Sequence, residues 1–300
     1  MTVGAVAAPS GRVTAAGTTL RPGRPEDAEE AGRICYEAFR ALATAHNFPP
    51  DFPSAEIAAG LLSDLLAHPG FYSVVAEQHG CIVGTNFVDE RSTIAGVGPV
   101  TVDPEVQDSG VGTLLMLDVI ERARATGFAG TRLLQAAYHN RSLGLYGKLG
   151  FDVQEVVVTL QGPPVGEEVH GFNVRLASED DLEDMSRVCR AVHGHDRAGE
   201  VVDAIRQGSA AVVVHDGVII GYTTGVAYFG HSVAISNHGL AALILAAPEF
   251  GGPGFLLPVS NGELFRWALA QGFRVVQVMT LMTLGLYHQP RGAYLPSILY

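Results

Sequence analysis

The stretch VTVDPEVQDSGVGTLLM, residues 100–116, changes character in its middle. Apolar residues alternate up to Val102, Asp103-Pro104 ends a strand, and QDSGVG opens a run with helical spacing. Glycines at a helix start suggest an anion cradle, because the first amides of a helix lack intrahelical acceptors and point outward. No Lys-Ser/Thr follows Gly112, so this is not a Walker loop, and the G-x-G-x-x-G spacing of a dinucleotide fold is missing. Which anion it suits must be read from its surroundings.

Working outward, residues 20–22 read as an opening strand before a helix that carries Ala31, Ile34, Cys35 and Ala38 at helical spacing. The pattern predicts a helix over 55–67, strands over 72–77 and 81–89, and a further strand over 94–102. Within the last, GVGP at 96–99 suggests a bulge or splay. A helix over 111–126, a strand over 132–137, a short helix through Tyr146 and a strand over 152–160 follow the glycine loop. A mostly antiparallel mixed sheet with helices on both faces is an α+β arrangement.

The chain repeats itself. LRPGRPEDAEEAGRICYEAF from Leu20 is echoed by VRLASEDDLEDMSRVCRAVH from Val174, matching Arg21 with Arg175, Asp27 with Asp181, Arg33 with Arg187 and Cys35 with Cys189 at one offset. GCIVG (80–84) is echoed by GVIIG (217–221), and GKLGF ending at Phe151 by LAQGF ending at Phe273. Three echoes in one order imply two tandem copies of one fold. The expected organisation is a flexible tail over 1–16, a first domain over 17–162, a linker over 163–170 within the Pro/Gly-containing QGPPVGEEVHG, and a second domain over 171–300.

At 300 residues and 47% hydrophobic, the chain can bury substantial cores. Its apolar runs, such as LAALILAA at 240–247, are too short to span a bilayer, and the N-terminus lacks the basic start of a signal peptide, so the expectation is cytoplasmic and not membrane-bound. A net charge of -12 argues against a nucleic-acid partner and is compatible with a cationic substrate. Cys35, Cys81 and Cys189 show no metal spacing, and His193, His195, His231 and His238 are irregularly spaced, so no metal is expected.

On these residues the chain resembles the GNAT N-acetyltransferase superfamily, tandem-domain type. VTVDPEVQDSGVG is similar to its acetyl-CoA loop, V-x-P-x-x-[QR]-x-x-G-x-[GA], and NRSLGLYGKLGF (140–151) to its second signature. The resemblance implies acetyl-CoA as co-substrate. The backbone of Val100, Thr101 and Val102 would hold the pantetheine arm, with an amide near Val100 polarising the thioester carbonyl. Gln107, Asp108, Ser109, Gly110, Val111, Gly112 and Thr113 would wrap the pyrophosphate, and His139 and Asn140 stand near the family's Asn. Tyr146 occupies the place of the general acid to the departing thiolate. Glu77, Asp89 and Glu90 are candidate bases, and Arg141 and Lys148 are available for a ribose phosphate. Asp108-Ser109 replaces the usual basic residues, and Asp103, Glu105 and Asp108 would repel a phosphate by about 1 kcal/mol per close pair.

The second half has no such loop. Gly251, Gly252 and Gly254 read as a turn, and Trp267 stands where a Tyr would, so this copy is expected not to bind acetyl-CoA. The tail GLYHQPRGAYLPSILY either reaches back to the first copy or packs only on its own sheet. The implied function is acetyl-CoA-dependent N-acetyl transfer, directly to an amine of a small molecule or peptide. The alternative is a non-catalytic acyl-CoA-binding or regulatory protein, and a homodimer is compatible with either.

Overall fold

A computed structural model describes residues 17–48 and 50–300; the expected tail over 1–16 lies outside the described residues. The fold is α+β, and the chain forms two compact units. One comprises residues up to Glu90 together with Val97–Gly127, and the other Arg91–Gly96 together with Phe128–Tyr300.

In the first unit, β1 (Thr18–Pro22), β2 (Phe71–Gln78) and β3 (Cys81–Asp89) form an antiparallel sheet. The short β5 (Thr101–Val102) pairs antiparallel with β3, where the Thr85 and Thr101 hydroxyls meet at 2.8 Å. Helices α1 (Ala28–Ala45), α2 (Ala55–Ala67) and α3 (Val111–Thr126) bury Ile34, Leu62 and Leu115 fully. The α1–α2 crossing depends on Gly32, where a Cβ would stand 2.3 Å from the Cα of Ala59. Buried Asn86 fastens α3 to β3 by donating to the Leu115 carbonyl at 3.3 Å, and Tyr72 donates to Asp118 at 2.7 Å.

In the second unit, β4 (Ile94–Val97) runs parallel to β6 (Gly130–Ala136) through residues 94–96. Next to β6 lies β13 (Arg274–Gly285), then β7 (Asp152–Gln161), then β12 (Phe255–Pro258), all antiparallel to their neighbours. Helix α4 (Asn140–Lys148) connects β6 to β7. The expected division at 163–170 is therefore crossed by strand pairing, because β13, late in the chain, separates two strands of the first copy. A second antiparallel sheet holds β8 (Asn173–Leu176), β9 (Ala211–His215), β10 (Val218–Thr223), β11 (Ser232–Ala234) and β14 (Ala293–Leu295). Helices α5 (Leu182–His193), α6 (Ala198–Gln207), α7 (Asn237–Ala246) and α8 (Gly262–Ala270) complete the unit.

The strand expected over 94–102 is two strands. Gly98 adopts φ +137°, accessible to glycine, and Pro99 has no N–H to give to a ladder, so pairing breaks between them. On either side of the break, β4 pairs with β6 and β5 with β3.

Local geometry repeats where the sequence repeats. Arg21 forks onto both oxygens of Asp27 at 2.7 and 2.8 Å, and Arg175 onto both oxygens of Asp181 at 2.7 Å. Each aspartate also accepts a backbone N–H three residues back, from Arg24 or Ser178, at 2.8 Å. Both hairpins turn on a pair of left-handed residues, His79-Gly80 and Asp216-Gly217. Hydrogen bonding from Arg175 holds the Asp181 carboxyl down at about 2, against its ordinary 3.8. Its contribution is then complete above pH 4 and lost as the pH falls towards 2. Because Arg175 is 44% exposed, Asp181→Asn is expected to cost only about 1 kcal/mol at pH 7, in urea unfolding. That cost should shrink steadily below pH 4; a cost independent of pH would contradict the ion-pair assignment.

Candidate functional site

The loop between β5 and α3 is tied down by its own polar side chains. Asp103 accepts from the Glu105 amide at 2.9 Å, Ser109 donates to the Val106 carbonyl at 2.6 Å, and Gln107 Nε2 donates to the Val102 carbonyl at 3.3 Å. Asp108 at φ +66° and Gly110 at φ +90° turn the chain into α3. Gly110 provides the backbone cap and no side chain caps the helix. The first amides, those of Val111, Gly112 and Thr113, consequently have no acceptor within the helix. A Cβ at Gly110 would meet nothing within 4 Å, so the approach to the helix start is open. Together with the helix dipole, this arrangement suits an anionic group, and the fit to a pyrophosphate is good at the backbone.

The acidic residues nearby are not all free to repel it. Asp103 lies 3.3 Å from Arg33, which also holds Glu30 and Glu37. Sequence reasoning missed this role of Arg33, which is far from Asp103 in the chain. Two of the candidate bases are also engaged: Glu77 with Arg21 at 2.7 Å, and Glu90 through both oxygens with Arg122 at 2.8 Å. Asp89 is buried, 8% exposed. None of the three is assigned as a base.

The structure brings Val100 through Thr113 together in the first unit. His139, Asn140 and Tyr146 belong to the second, at and within α4. His139 is the N-cap residue of α4 without a side-chain cap bond, and Asn140 begins the helix, exposed. Arg141 and Lys148 are exposed on α4. Tyr146 is buried at 8% exposure, its ring 6.1 Å from that of Phe151, and burial pushes its phenol up to about 12. Such a phenol is neutral at physiological pH and donates a hydrogen bond. It is a weaker acid than a thiol near 8.5, so handing its proton fully to a thiolate would be uphill.

The second copy closes the corresponding helix starts. At α7 the Ser236 hydroxyl accepts the Gly239 amide at 3.2 Å, and at α8 the Asn261 side chain accepts the Leu264 amide at 3.3 Å. Amides left outward in the first copy are thus spent on caps in the second. Gly252 and Pro253 form a turn before β12, with Gly252 at φ +75°, while Gly251 bridges to Ala227. Of the expected incidental histidines, His193, His195 and His231 do cluster, which their spacing did not show. The tail packs on the second sheet, where β14 pairs with β11, and Leu299 and Tyr300 then lie against Gly96 of the same unit. Among the described residues, no helix is long and apolar enough to cross a membrane.

Residues 36–151 match the model of the acetyltransferase (GNAT) family. No curated protein sequence matches the chain significantly. Among solved structures, a candidate acetyltransferase from Pyrococcus horikoshii is similar with a TM-score of 0.72 at 19% identity, over 95% of this chain and 93% of its own. A GCN5-related N-acetyltransferase from Sphaerobacter thermophilus gives 0.60 at 17% identity, over 93% and 98%. A tandem GNAT protein from the clavulanic acid biosynthesis pathway gives 0.55 at 15% identity, over 89% and 98%. At these identities the likeness is one of fold, and it extends over both halves of the chain.

Proposed function

We propose, from the match of residues 36–151 to the GNAT acetyltransferase family model, that this protein transfers an acetyl group from acetyl-CoA to an amine of a small molecule or peptide. The observation that carries the reading is the open start of α3, entered through left-handed Gly110 and left without a side-chain cap. Acetyl-CoA supplies an activated thioester; the amine nitrogen bonds to the carbonyl carbon as the carbon–sulfur bond breaks. The amides of Val111 to Thr113 would hold the pyrophosphate. Gln107 would release the Val102 carbonyl, so that β5 can bond the pantetheine arm. Tyr146 would steady the departing thiolate by a hydrogen bond. The amine's lost proton balances the one the thiol gains.

Calorimetry with acetyl-CoA and with CoA tests the cofactor part, and a thiol-release assay across small and peptide amines tests the rest. For Tyr146→Phe, loss of one hydrogen bond to a developing charge is expected to lower kcat by about 10- to 100-fold, with CoA affinity unchanged. With the wild-type phenol at about 12, no break in kcat between pH 7 and 10 should come from this residue. Full turnover by a folded Tyr146→Phe protein would remove it from the mechanism. The acidic Glu105 and Asp108 beside the loop favour a second reading, in which CoA binds but no amine is acetylated; cofactor binding without thiol release across the screen would establish it.

A further inference from the structure

Among the described residues, the buried side-chain polar atoms without a hydrogen-bond partner of ordinary geometry all fall in six residues of the second unit. They are Arg132 through Nε, His193 and His231 through both ring nitrogens, and the hydroxyls of Tyr222, Tyr287 and Tyr294. The six are contiguous. The His193 ring lies 5.1 Å from Tyr294 and 5.5 Å from His231, which is 5.4 Å from Tyr222. The Arg132 guanidinium sits 5.2 Å from the Tyr287 ring and 4.3 Å from the Tyr300 ring. Tyr300 closes the loop through its hydroxyl, 3.2 Å from His195, whose ring neighbours His193 at 5.8 Å.

The charge balance of this cluster is unusual. Arg197, also stacked on Tyr300 at 4.5 Å, is neutralised by Glu200 at 2.6 Å. Glu155 accepts from the Val156 amide and the Ser260 hydroxyl and keeps its own negative charge. Arg132 is 2% exposed, and the groups whose charge acts on it are Tyr287, Arg197 and Tyr294, none of them a carboxylate. Burial lowers it to about 10, which still leaves it protonated at pH 7. Burial also keeps His193 and His231 neutral, and His195 falls to about 4. Glu155 acts on Tyr287 and Tyr294 but not on Arg132, whose positive charge therefore has no carboxylate against it, where interiors almost never leave a cation unpaired.

Water could satisfy the hydroxyls and imidazoles, but only an anion balances the charge. A dianion would need a second free cation, and an amine would be repelled. The fork of a guanidinium, with Nε available, matches the two coplanar oxygens of a carboxylate. We propose that Arg132, with the unpartnered imidazoles of His193 and His231 and the mutually bonded hydroxyls of Tyr287 and Tyr294 around it, forms a binding site for a small monocarboxylate. Tyr300 is one wall of this site and is held at φ +106°, a left-handed conformation costly for a non-glycine residue.

The test is thermal unfolding of the full-length protein at fixed ionic strength, pH 7.5, without acetyl-CoA, titrated with acetate. A saturable rise in Tm is expected, about 4 °C at hundredfold excess over the dissociation constant. Uncharged acetamide and spherical chloride should give no saturable rise. Arg132→Met should fold, because replacing a buried unpaired cation by an apolar residue of similar reach is not costly, and should lose the acetate response. Should that variant not fold, Arg132→Lys keeps the charge without the fork and is expected to bind acetate at least about tenfold more weakly. An equal response to chloride or acetamide, no acetate response at all, or a response retained by the Arg132 variant would overturn the site. Gly110→Glu should leave the acetate response intact, so this result and that of the acetyltransferase reading can fail separately.

Discussion

Gly110→Glu is expected to weaken CoA binding by about 100-fold or more. Two effects combine. Gly110 sits at φ +90°, where an L residue costs about 1–2 kcal/mol, so the turn into α3 would shift and take its amides out of line. The new carboxylate would enter the open space where a Cβ now meets nothing within 4 Å, next to the pyrophosphate position, adding like-charge repulsion of about 1 kcal/mol or more. Together these approach the 2.7 kcal/mol that corresponds to 100-fold. Gly110→Ala carries only the backbone part and should lose about tenfold. Calorimetry of both variants with CoA checks the prediction; a Gly110→Glu protein that binds like wild type would mean that the start of α3 does not hold the cofactor.

Gly96→Ala should lower Tm by about 5 °C. A Cβ at this position would stand 2.0 Å from the Leu299 carbonyl oxygen and 3.3 Å from the Tyr300 Cβ. The obstructing atom is backbone and cannot rotate aside, so the tail must lift. Lifting it exposes Tyr300, now 4% exposed, and breaks its amide bond to Ser297 at 2.9 Å and its hydroxyl contact with His195. Burial of one aromatic side chain and a pair of hydrogen bonds amounts to about 3 kcal/mol, and each kcal/mol is worth about 1.5 °C in a chain of 300 residues. Hydrogen exchange should show the Leu299 and Tyr300 amides losing protection first. An unchanged Tm with protected tail amides would show that the strand tolerates a side chain here.

Local signals in the sequence were readable because their causes are local. The glycine loop and the matched positions Arg21/Arg175 and Asp27/Asp181 stood out in the sequence, while the forks these residues form and the left-handed hairpin turns are local features that only the structure shows. The break at Gly98-Pro99 was half visible, as a bulge rather than as two strands with different partners. Long-range choices left no such trace. Nothing in RVVQVMTLMTLG marks β13 as a neighbour of β6 and β7, since any apolar strand would look the same. Nor could spacing show that Glu77 and Glu90 are tied to arginines, or that Arg132, His193 and Tyr300 converge. The roles of Val100, Gln107, Tyr146 and the other candidate residues still rest on the family resemblance together with the open helix start.

The position of β13 has a consequence for how the protein is made. Strands β6 and β7 are synthesised early, but the strand that joins them starts at Arg274, more than a hundred residues after β7 ends at Gln161. At roughly 5–20 residues per second, the ribosome leaves both edges unsatisfied for on the order of ten seconds. During that time the nascent chain displays two apolar strand edges to its neighbours, the hazard that folded sheets take care to cover. The first copy is thus early in the message but late to mature, because its sheet closes only once β13, encoded near the far end of the second copy, has been made.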